Sequence, residues 1–243
     1  NRIARLLADG TLDTTFVVGS GFDAEVQITK IQTDGKILVG GNFNNYNGNT
    51  ANYIVRLNTN GTVDATFLVG TGADEAIYEI ELQPNGKILI GGTFDDFNGA
   101  PRGGITRLNS NGTNDNSFYT GLGFNQMVGS IQVLPNGKIL VAGNFNNFQG
   151  VLSKPIVRLQ SNGTLDASFA YTGTASFASC LAIRTNGEIL FGSSIYYLNQ
   201  IDTNGNPMNN FISSSHKPNS MVRNILVQPD NKFVITGDFS KIG

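Results

Sequence analysis

The sequence predicts an all-β fold, a five-bladed β-propeller, on three observations. A unit of about 51 residues recurs along the chain, each copy carries two hairpin signals, and no segment has the periodicity of an amphipathic helix. Four short strands within such a unit make up one propeller blade. We therefore expect a single domain over residues 1–243, built from successive four-stranded blades.

The periodicity is visible in both halves of the unit. Arg-Leu recurs at intervals of 51 residues, and a turn glycine and a phenylalanine follow it at constant distances. The other half repeats as TDGKILVGGNF from Thr33, PNGKILIGGTF from Pro84 and PNGKILVAGNF from Pro135. Two divergent copies are TNGEILFGSS from Thr185 and PDNKFVITGDF from Pro229. Because the copies belong to one chain, they show which positions the repeat geometry demands.

The first hairpin of each unit is predicted from its turn. In the first complete copy, a strand over residues 26–31 leads to Asp34-Gly35 and then to the apolar run of residues 37–39. Asp-Gly and Asn-Gly are preferred in tight hairpin turns because the central residues need positive φ angles. The uninterrupted apolar run indicates a strand covered on both faces, as between neighbouring blades.

The second hairpin follows by the same reasoning. Residues 54–58 and 63–67 are predicted strands on either side of the turn Asn60-Gly61. The two hairpins together give the four strands of one blade.

The two ends of the chain carry complementary halves of a unit. The chain opens with a second hairpin, residues 3–16, and closes with a first hairpin, residues 221–239. Pairing these hairpins in one sheet would complete a fifth blade and close the ring, which removes exposed sheet edges. An open solenoid with two bare edges is the alternative. The predicted blades are residues 17–67, 68–118, 119–169, 170–211, and a composite of 212–243 with 1–16.

Composition argues against several classes of partner. Lys and Arg total 16 and Asp and Glu total 18, so the chain has no basic footprint for nucleic acid or anionic lipid. No apolar stretch approaches the length of a membrane span, so we expect no membrane insertion. The single cysteine rules out an internal disulfide. A start at Asn1 without an initiator Met suggests a processed product or part of a larger polypeptide.

Catalytic and metal-binding signatures are not found in the sequence. It contains no P-loop, dinucleotide fingerprint, nucleophile elbow or zinc-protease motif, His216 sits in a Ser-rich loop, and Cys180 lies in an apolar strand. Asn58, Asn60 and Asp64 cluster around a turn glycine, and turn chemistry explains them without calcium. We therefore expect no enzymatic activity, no cofactor and no metal. The enzymatic alternative is a glycoside hydrolase or lyase with carboxylates assembled from different blades in the central channel.

Four arginines are each followed eight residues later by an aspartate. The next copy has Gln200 and Met208 at these positions, so both charges are lost together. Joint loss predicts direct pairing across the hairpin. The alternative is a ring of charges for a ligand. The predicted structural pairs are Arg5–Asp13, Arg56–Asp64, Arg107–Asp115 and Arg158–Asp166.

The loops after the Gly-rich strand form the candidate ligand site. NFNNYNG, TFDDFNG and NFNNFQG each place an aromatic ring among amides or carboxylates, a combination suited to stacking on sugars and to directional hydrogen bonds. The alternative is that the ring fills the interface between blades while the amides satisfy the loop backbone. The absence of Trp counts against sugar stacking. The candidate residues are Asn45, Tyr46, Asp96, Phe97, Asn147 and Phe148.

The repeat resembles the delta-60 repeat of bacterial secreted and surface proteins. RLNTNGTVDATF from Arg56 and LQPNGKILIGGTF from Leu82 carry the resemblance, which weakens between residues 178 and 210. It implies a propeller-like fold, an extracellular, cell-surface or virion setting, and no catalytic residues. We therefore predict a non-catalytic binding or display module that engages a protein or a glycan through loops on one face. The alternative is a structural spacer or tail-fibre segment.

Overall fold

The computed structural model describes residues 1–243 except 194–196, 209–210 and 212–215. All the regular elements of these described residues are β-strands, and none of them is an α-helix. Among them, no helix has the length and hydrophobicity needed to cross a bilayer. The chain divides into two compact units, Asn1–Gly123 and Phe124–Gly243.

The first unit contains two antiparallel three-stranded sheets. One has the order β1-β2-β5 and the other β6-β7-β10, and a pair of two-residue strands follows the central strand of each. The strands are β1 (Val26–Ile31), β2 (Ile37–Gly41), β3 (Asn45–Tyr46), β4 (Asn49–Thr50), β5 (Ile54–Leu57), β6 (Ile77–Leu82), β7 (Ile88–Gly92), β8 (Asp96–Phe97), β9 (Ala100–Pro101) and β10 (Ile105–Leu108).

The second unit repeats this arrangement and ends with a smaller sheet. Its sheets have the orders β11-β12-β15, β16-β17-β18 and β19-β20. The strands are β11 (Val128–Val133), β12 (Ile139–Gly143), β13 (Asn147–Phe148), β14 (Val151–Leu152), β15 (Ile156–Leu159), β16 (Ala178–Ile183), β17 (Ile189–Ser193), β18 (Leu198–Ile201), β19 (Val222–Val227) and β20 (Phe233–Gly237).

All five first hairpins share one irregularity. The register between the two strands shifts after the first residue pair, for example between Val26 and Ile28 in β1 and between Val222 and Asn224 in β19. A bulge at this position increases the local twist of the strand. The repeat is therefore visible in backbone geometry, including the copies whose sequences diverge most.

The fourth strand of each blade is much shorter than predicted. The structure reduces it to single bridges such as Leu57↔Val63 and Leu159↔Leu165. The reason lies in the next residue of the repeat: the Asp64 carboxylate accepts hydrogen bonds from the backbone N–H and the hydroxyl of Thr66, and the Phe67 N–H donates to the Asp64 carbonyl. These bonds close a turn where an extended strand was expected.

The core lies around the central strands, which are buried on both faces as their apolar runs predict. Every residue of β7 and β12 is buried. The first strands of consecutive sheets lie against each other, β1 against β6 and β11 against β16. Aromatic side chains such as Phe43, Phe94 and Phe145 are fully buried beside these sheets.

The two incomplete copies are packed differently from the complete ones. Val234 of β20 is 49% exposed, whereas its counterparts Leu38, Leu89 and Leu140 are fully buried. Leu6 is 62% exposed, whereas its counterparts Leu57, Leu108 and Leu159 are fully buried. Each incomplete copy thus exposes an apolar residue that a complete copy covers. The blade count and the closure of the ring stay predictions.

Candidate functional site

Each predicted Arg–Asp pair lies at the centre of a larger group, which we call the latch. In the latch of the first complete repeat, the Arg56 Nε donates to the Asp64 Oδ2 at 2.7 Å, and the Lys36 Nζ donates to the same oxygen at 2.8 Å. The Arg56 guanidinium lies over the Phe67 ring, 4.6 Å from its centroid. Arg56 and Asp64 are buried, so the pair is shielded from water.

The structure brings the other three predicted pairs together in the same way. The Nε–Oδ2 distances are 2.7 Å for Arg5–Asp13, 2.6 Å for Arg107–Asp115 and 2.6 Å for Arg158–Asp166. In each, a phenylalanine lies under the guanidinium, with centroid distances of 4.7 to 4.9 Å. Lys87 and Lys138 complete the second and third latches at 2.6 and 2.8 Å.

The latch also joins one repeat to the next. The Arg56 Nη1 donates to the carbonyl of Ser110 at 2.5 Å, and the Arg158 Nη1 donates to that of Thr203 at 2.6 Å. Arg5 makes the equivalent bond to the carbonyl of Thr59. The three guanidiniums are thus satisfied within the protein. A ring of free charges for a ligand, the alternative left by the sequence, does not fit this geometry.

The turn of the second hairpin depends on glycine. Gly61 has a φ of +86°, and a Cβ atom there would lie 2.7 Å from the carbonyl oxygen of Val17. The backbone N–H of Val17 donates to the carbonyl of Asn60 at 2.7 Å. The Asn-Gly turn therefore serves both the hairpin and the close approach of the segment at the start of the same predicted blade.

The latch aspartates are strongly stabilised in their charged form. Burial alone would raise the pKa of Asp64, but hydrogen bonds from Lys36, Thr66 and Arg56 outweigh it and hold this pKa well below its usual range. Asp115 and Asp166 have their pKa values lowered by the same kinds of donor. These carboxylates are therefore ionised at any physiological pH, and they do not act as proton donors.

The sequence reasoning missed the latch lysines. Their signal was present, because the copy that replaces the Arg and the Asp by Gln200 and Met208 also replaces the Lys by Glu188. In the structure, Glu188 accepts a hydrogen bond from the Gln200 amide and pairs with the Arg184 Nη1 at 3.2 Å. The fourth copy has thus exchanged its three charged positions together.

The aromatic rings predicted to stack on a ligand are buried. Tyr46, Phe97 and Phe148 are 1%, 0% and 4% exposed. The Tyr46 ring packs 4.5 Å from that of Phe22, and its hydroxyl donates to the carbonyl of Gly61 at 2.7 Å. A ring covered on its faces cannot receive a sugar, so this part of the predicted site is corrected. The rings fill the core, which was the alternative reading.

The polar members of the predicted site hold the loops in shape. The Asn45 amide donates to the Asp23 Oδ2 at 2.8 Å, and the Asp23 Oδ1 accepts the backbone N–H groups of Asn44 and Asn45. The N–H of Asp96 donates likewise to the Asp74 Oδ1 at 3.0 Å. The sequence reasoning missed this Asp or Asn anchor, although it recurs 22 residues before each of these N–H groups.

The third loop has the same anchor and one further bond. The N–H of Asn147 donates to the Asn125 Oδ1 at 3.0 Å, and the Asn147 Oδ1 accepts the N–H of Gly150 at 2.8 Å. In all three loops, backbone N–H groups therefore donate to an anchoring side chain within the protein.

What the loops do expose is a set of three hairpin tips, residues 47–50, 98–101 and 149–152. Each tip starts with a non-glycine residue of positive φ, namely Asn47, Asn98 or Gln149, followed by a glycine of positive φ. Two successive positive φ angles are the signature of a tight type I′ turn. The tips share this backbone but carry different side chains, from Asn49-Thr50 to Val151-Leu152.

Cys180 and His216 are two other potentially reactive side chains of the chain. Cys180 is buried in β16 as expected, and burial raises the pKa of its thiol. No cluster of three His, Cys, Asp or Glu side chains placed to hold a metal occurs in the described part of the chain. Of the Ser-rich loop around His216, residues 213–215 lie outside the described residues.

Comparison with known families gives one match. A family model described as "Domain of unknown function (DUF5122) beta-propeller" matches residues 1–16, 32–67, 83–118 and 134–169, which together make up just over half of the chain. The matched segments end before the divergent fourth copy. No curated protein matches this chain in sequence.

Several solved structures are similar to the chain, among them one described as a β-propeller domain. A streptogramin B lyase has a TM-score of 0.59 at 19% identity over 99% of this chain and 77% of its own. A gluconolactonase from Xanthomonas campestris has a TM-score of 0.53 at 12% identity, over 97% of this chain and 75% of its own. The WD40 β-propeller domain of Doa1 has a TM-score of 0.51 at 19% identity. The aligned region covers 73% of this chain and 50% of the Doa1 chain. At these identities the likeness concerns the fold alone.

Proposed function

Because this chain belongs to the family described as domain of unknown function (DUF5122) beta-propeller, we propose that it is a non-catalytic module that displays binding loops on a rigid repeat scaffold. The observation that carries the proposal is the contrast within the three loops. Their backbone is held by the same anchors and the same turn, while the exposed tip residues differ from copy to copy. A constant frame with variable exposed residues is typical of recognition surfaces.

We propose a protein as the partner, in preference to a glycan bound by these loops. The rings that would stack on a sugar are buried, whereas Val151 and Leu152 at the third tip are 69% and 84% exposed. Exposed aliphatic side chains on a rigid hairpin are suited to a pocket on another protein. The Arg, Asp and Lys side chains of the latches are paired with one another, which supports a non-catalytic role for them over a role in a glycosidase or a lyase.

An array experiment tests the proposal. The protein would be applied to arrays of purified extracellular proteins and of glycans, together with a Val151→Ser, Leu152→Ser variant. The matched control is Leu122→Ser, which removes an apolar side chain of similar exposure outside the tips. Binding to one protein that is lost only in the tip variant supports the proposal. Binding that the tip variant retains, or binding to glycans through these tips, contradicts it.

We also propose that the repeats are of the delta-60 type, that the protein acts outside the cytoplasm at a cell surface or on a virion, and that the ring closes with five blades. Repeat register supports closure: Lys232 lies at the position of Lys36, and Arg5 and Asp13 lie at the positions of Arg56 and Asp64. A closed ring would cover the exposed Val234 and Leu6 with the neighbours that their counterparts have.

A further inference from the structure

The fourth repeat contains a cavity of about 440 Å³. Its walls come from three segments: the linker that begins at Tyr171, the strand β18, and the residues after the following turn. Three of the lining residues are Gln200, Met208 and Phe211, which occupy the positions of the latch arginine, aspartate and phenylalanine. The cavity therefore lies where the other repeats carry their latch.

Two backbone hydrogen bonds beside the cavity match those of a complete latch. The N–H of Met208 donates to the carbonyl of Gln200 at 2.9 Å, as the N–H of Asp64 donates to that of Arg56 at 2.8 Å. The N–H of Phe211 donates to the carbonyl of Met208 at 3.3 Å, as the N–H of Phe67 donates to that of Asp64 at 3.1 Å. At these positions the fourth repeat keeps the backbone hydrogen bonds of a latch, while Gln200 and Met208 replace its charged side chains.

The three side-chain exchanges explain why space is left. Glutamine is shorter than arginine, and the Gln200 amide donates to Glu188, which directly precedes the neighbouring strand β17. Met208 carries no charge to draw a partner across the hairpin. The preceding linker is also one residue shorter than its counterparts, with nine positions from Phe169 to Ala178 against ten from Phe118 to Val128.

The chemistry of the lining selects a class of ligand. Leu198, Met208 and Phe211 give an apolar surface, while Thr172, Asn199 and Gln200 give hydroxyl and amide groups. Lys217 is the one charged residue among the described lining residues. A cavity of this size, lined by both neutral polar groups and apolar side chains, is suited to a small ligand that has both hydroxyl groups and an apolar face.

We propose that this cavity binds an uncharged sugar ring, and that the fourth repeat gave up its latch to form the site. Apolar C–H groups of a pyranose would lie against Phe211 and Met208, and its hydroxyl groups would bond to amides and threonines. Departures from a repeat's own rules are expected at functional positions. The site is independent of the hairpin tips and of the protein partner proposed for them.

The repeat itself supplies the variant that tests the proposal. Glu188→Lys, Gln200→Arg and Met208→Asp together restore the latch found in the other repeats and fill the cavity with a side-chain arrangement that the fold already accepts. Binding would be followed by saturation-transfer difference NMR with methyl glycosides of glucose, galactose, mannose and N-acetylglucosamine, at up to about 10 mM because single sugars bind weakly.

We expect at least one glycoside to bind the wild-type protein, and the restored-latch variant to lose that binding by about 10-fold or more at an unchanged or higher Tm. A Thr172→Trp variant, which fills the cavity from an exposed position, should lose it too and guards against misfolding of the triple variant. The Val151→Ser, Leu152→Ser variant should keep it. No binding by the wild-type protein, or full binding by both filled variants, would overturn the proposal.

Discussion

At the scale of single residues, one carboxylate organises most of each latch. The Asp64 Oδ2 accepts from Lys36 and Arg56, while its Oδ1 accepts from the backbone and hydroxyl of Thr66. A buried carboxylate with this many donors leaves several unsatisfied groups behind when it is removed. The stability of a repeat should therefore be unusually sensitive to this position.

We expect Asp64→Ala to lower the free energy of unfolding by about 3–5 kcal/mol, because Arg56 and Lys36 would be left without their buried partner. Urea denaturation measures the change. Asp34→Ala, which removes an exposed turn carboxylate of the same repeat, is the control and should cost about 1 kcal/mol or less. A double-mutant cycle of Asp64→Ala with Arg56→Ala should show coupling, and additive effects would contradict the pairing energy assigned here.

The pH dependence of stability follows from the same carboxylates. Their pKa values are lowered in the folded protein, so the unfolded chain binds more protons as the pH falls below about 3.9. The stabilisation is complete above this pH and is lost progressively toward the lower folded pKa. We expect Tm to fall steeply below about pH 4, and the fall to be shallower in the triple variant Asp64→Asn, Asp115→Asn, Asp166→Asn, as measured by circular dichroism.

The residue-level predictions succeeded where two positions changed together. The Arg–Asp pairs could be inferred because Gln200 and Met208 replace both charges in one copy. The loop aromatics could not be placed, because an aromatic beside amides has the same pattern whether the ring faces solvent or core. Burial of Tyr46 depends on Phe22, a residue 24 positions earlier whose distance in space the pattern does not reveal.

At the scale of elements, one anchoring side chain holds the backbone of each loop. The Asp23 Oδ1 accepts two successive backbone N–H groups, from Asn44 and Asn45. We expect Asp23→Ala to raise the hydrogen-exchange rates of these two amides by releasing the loop, at a cost of about 1–2 kcal/mol in stability. The amides of Asp95 and Asp96, held by the intact Asp74, serve as the internal control. Equal protection of both loops in the variant would contradict the anchoring role.

Turn chemistry predicted the hairpins and misjudged the strand after the second turn. Asp34-Gly35 and Asn60-Gly61 identify their hairpins because few residues accept positive φ. The strand expected after Val63 failed because Asp64 uses its carboxylate to close a turn. The tip hairpins were expected only as loops, because strands of two residues are too short for any periodic pattern.

At the scale of the whole molecule, repeat register makes closure of the ring testable. We expect Lys232→Ala to lower Tm by less in an Asp13→Ala background than in the wild-type protein, because in a closed ring Lys232 would donate to the Asp13 carboxylate as Lys36 does to Asp64. Differential scanning calorimetry of the two single variants and the double variant measures this. If Lys232→Ala and Asp13→Ala act independently, the two hairpins do not share a latch.

An all-β propeller-like repeat fold could be predicted from the sequence because a period of 51 residues leaves few architectures. Function was harder to predict for the same reason, because the positions shared by all copies are those required for packing of each copy. Positions that depart from the repeat, such as the tip residues and Gln200 and Met208 of the fourth copy, are the ones at which we propose binding. No other copy in the chain has the same residues at these positions, so comparison between the copies does not reveal their role.

The direction of the latch has a consequence for synthesis. Arg56 finds its carbonyl partner on Ser110, 54 residues later, and Arg5 finds its own on Thr59 at the same separation. A ribosome adding about 5–20 residues per second needs several seconds to make that segment. Arg5, Arg56 and Arg158 therefore leave the ribosome before their carbonyl partners, and each of these junctions is completed only when the following repeat emerges. Pauses in translation between repeats would prolong the time during which these arginines lack their carbonyl partners.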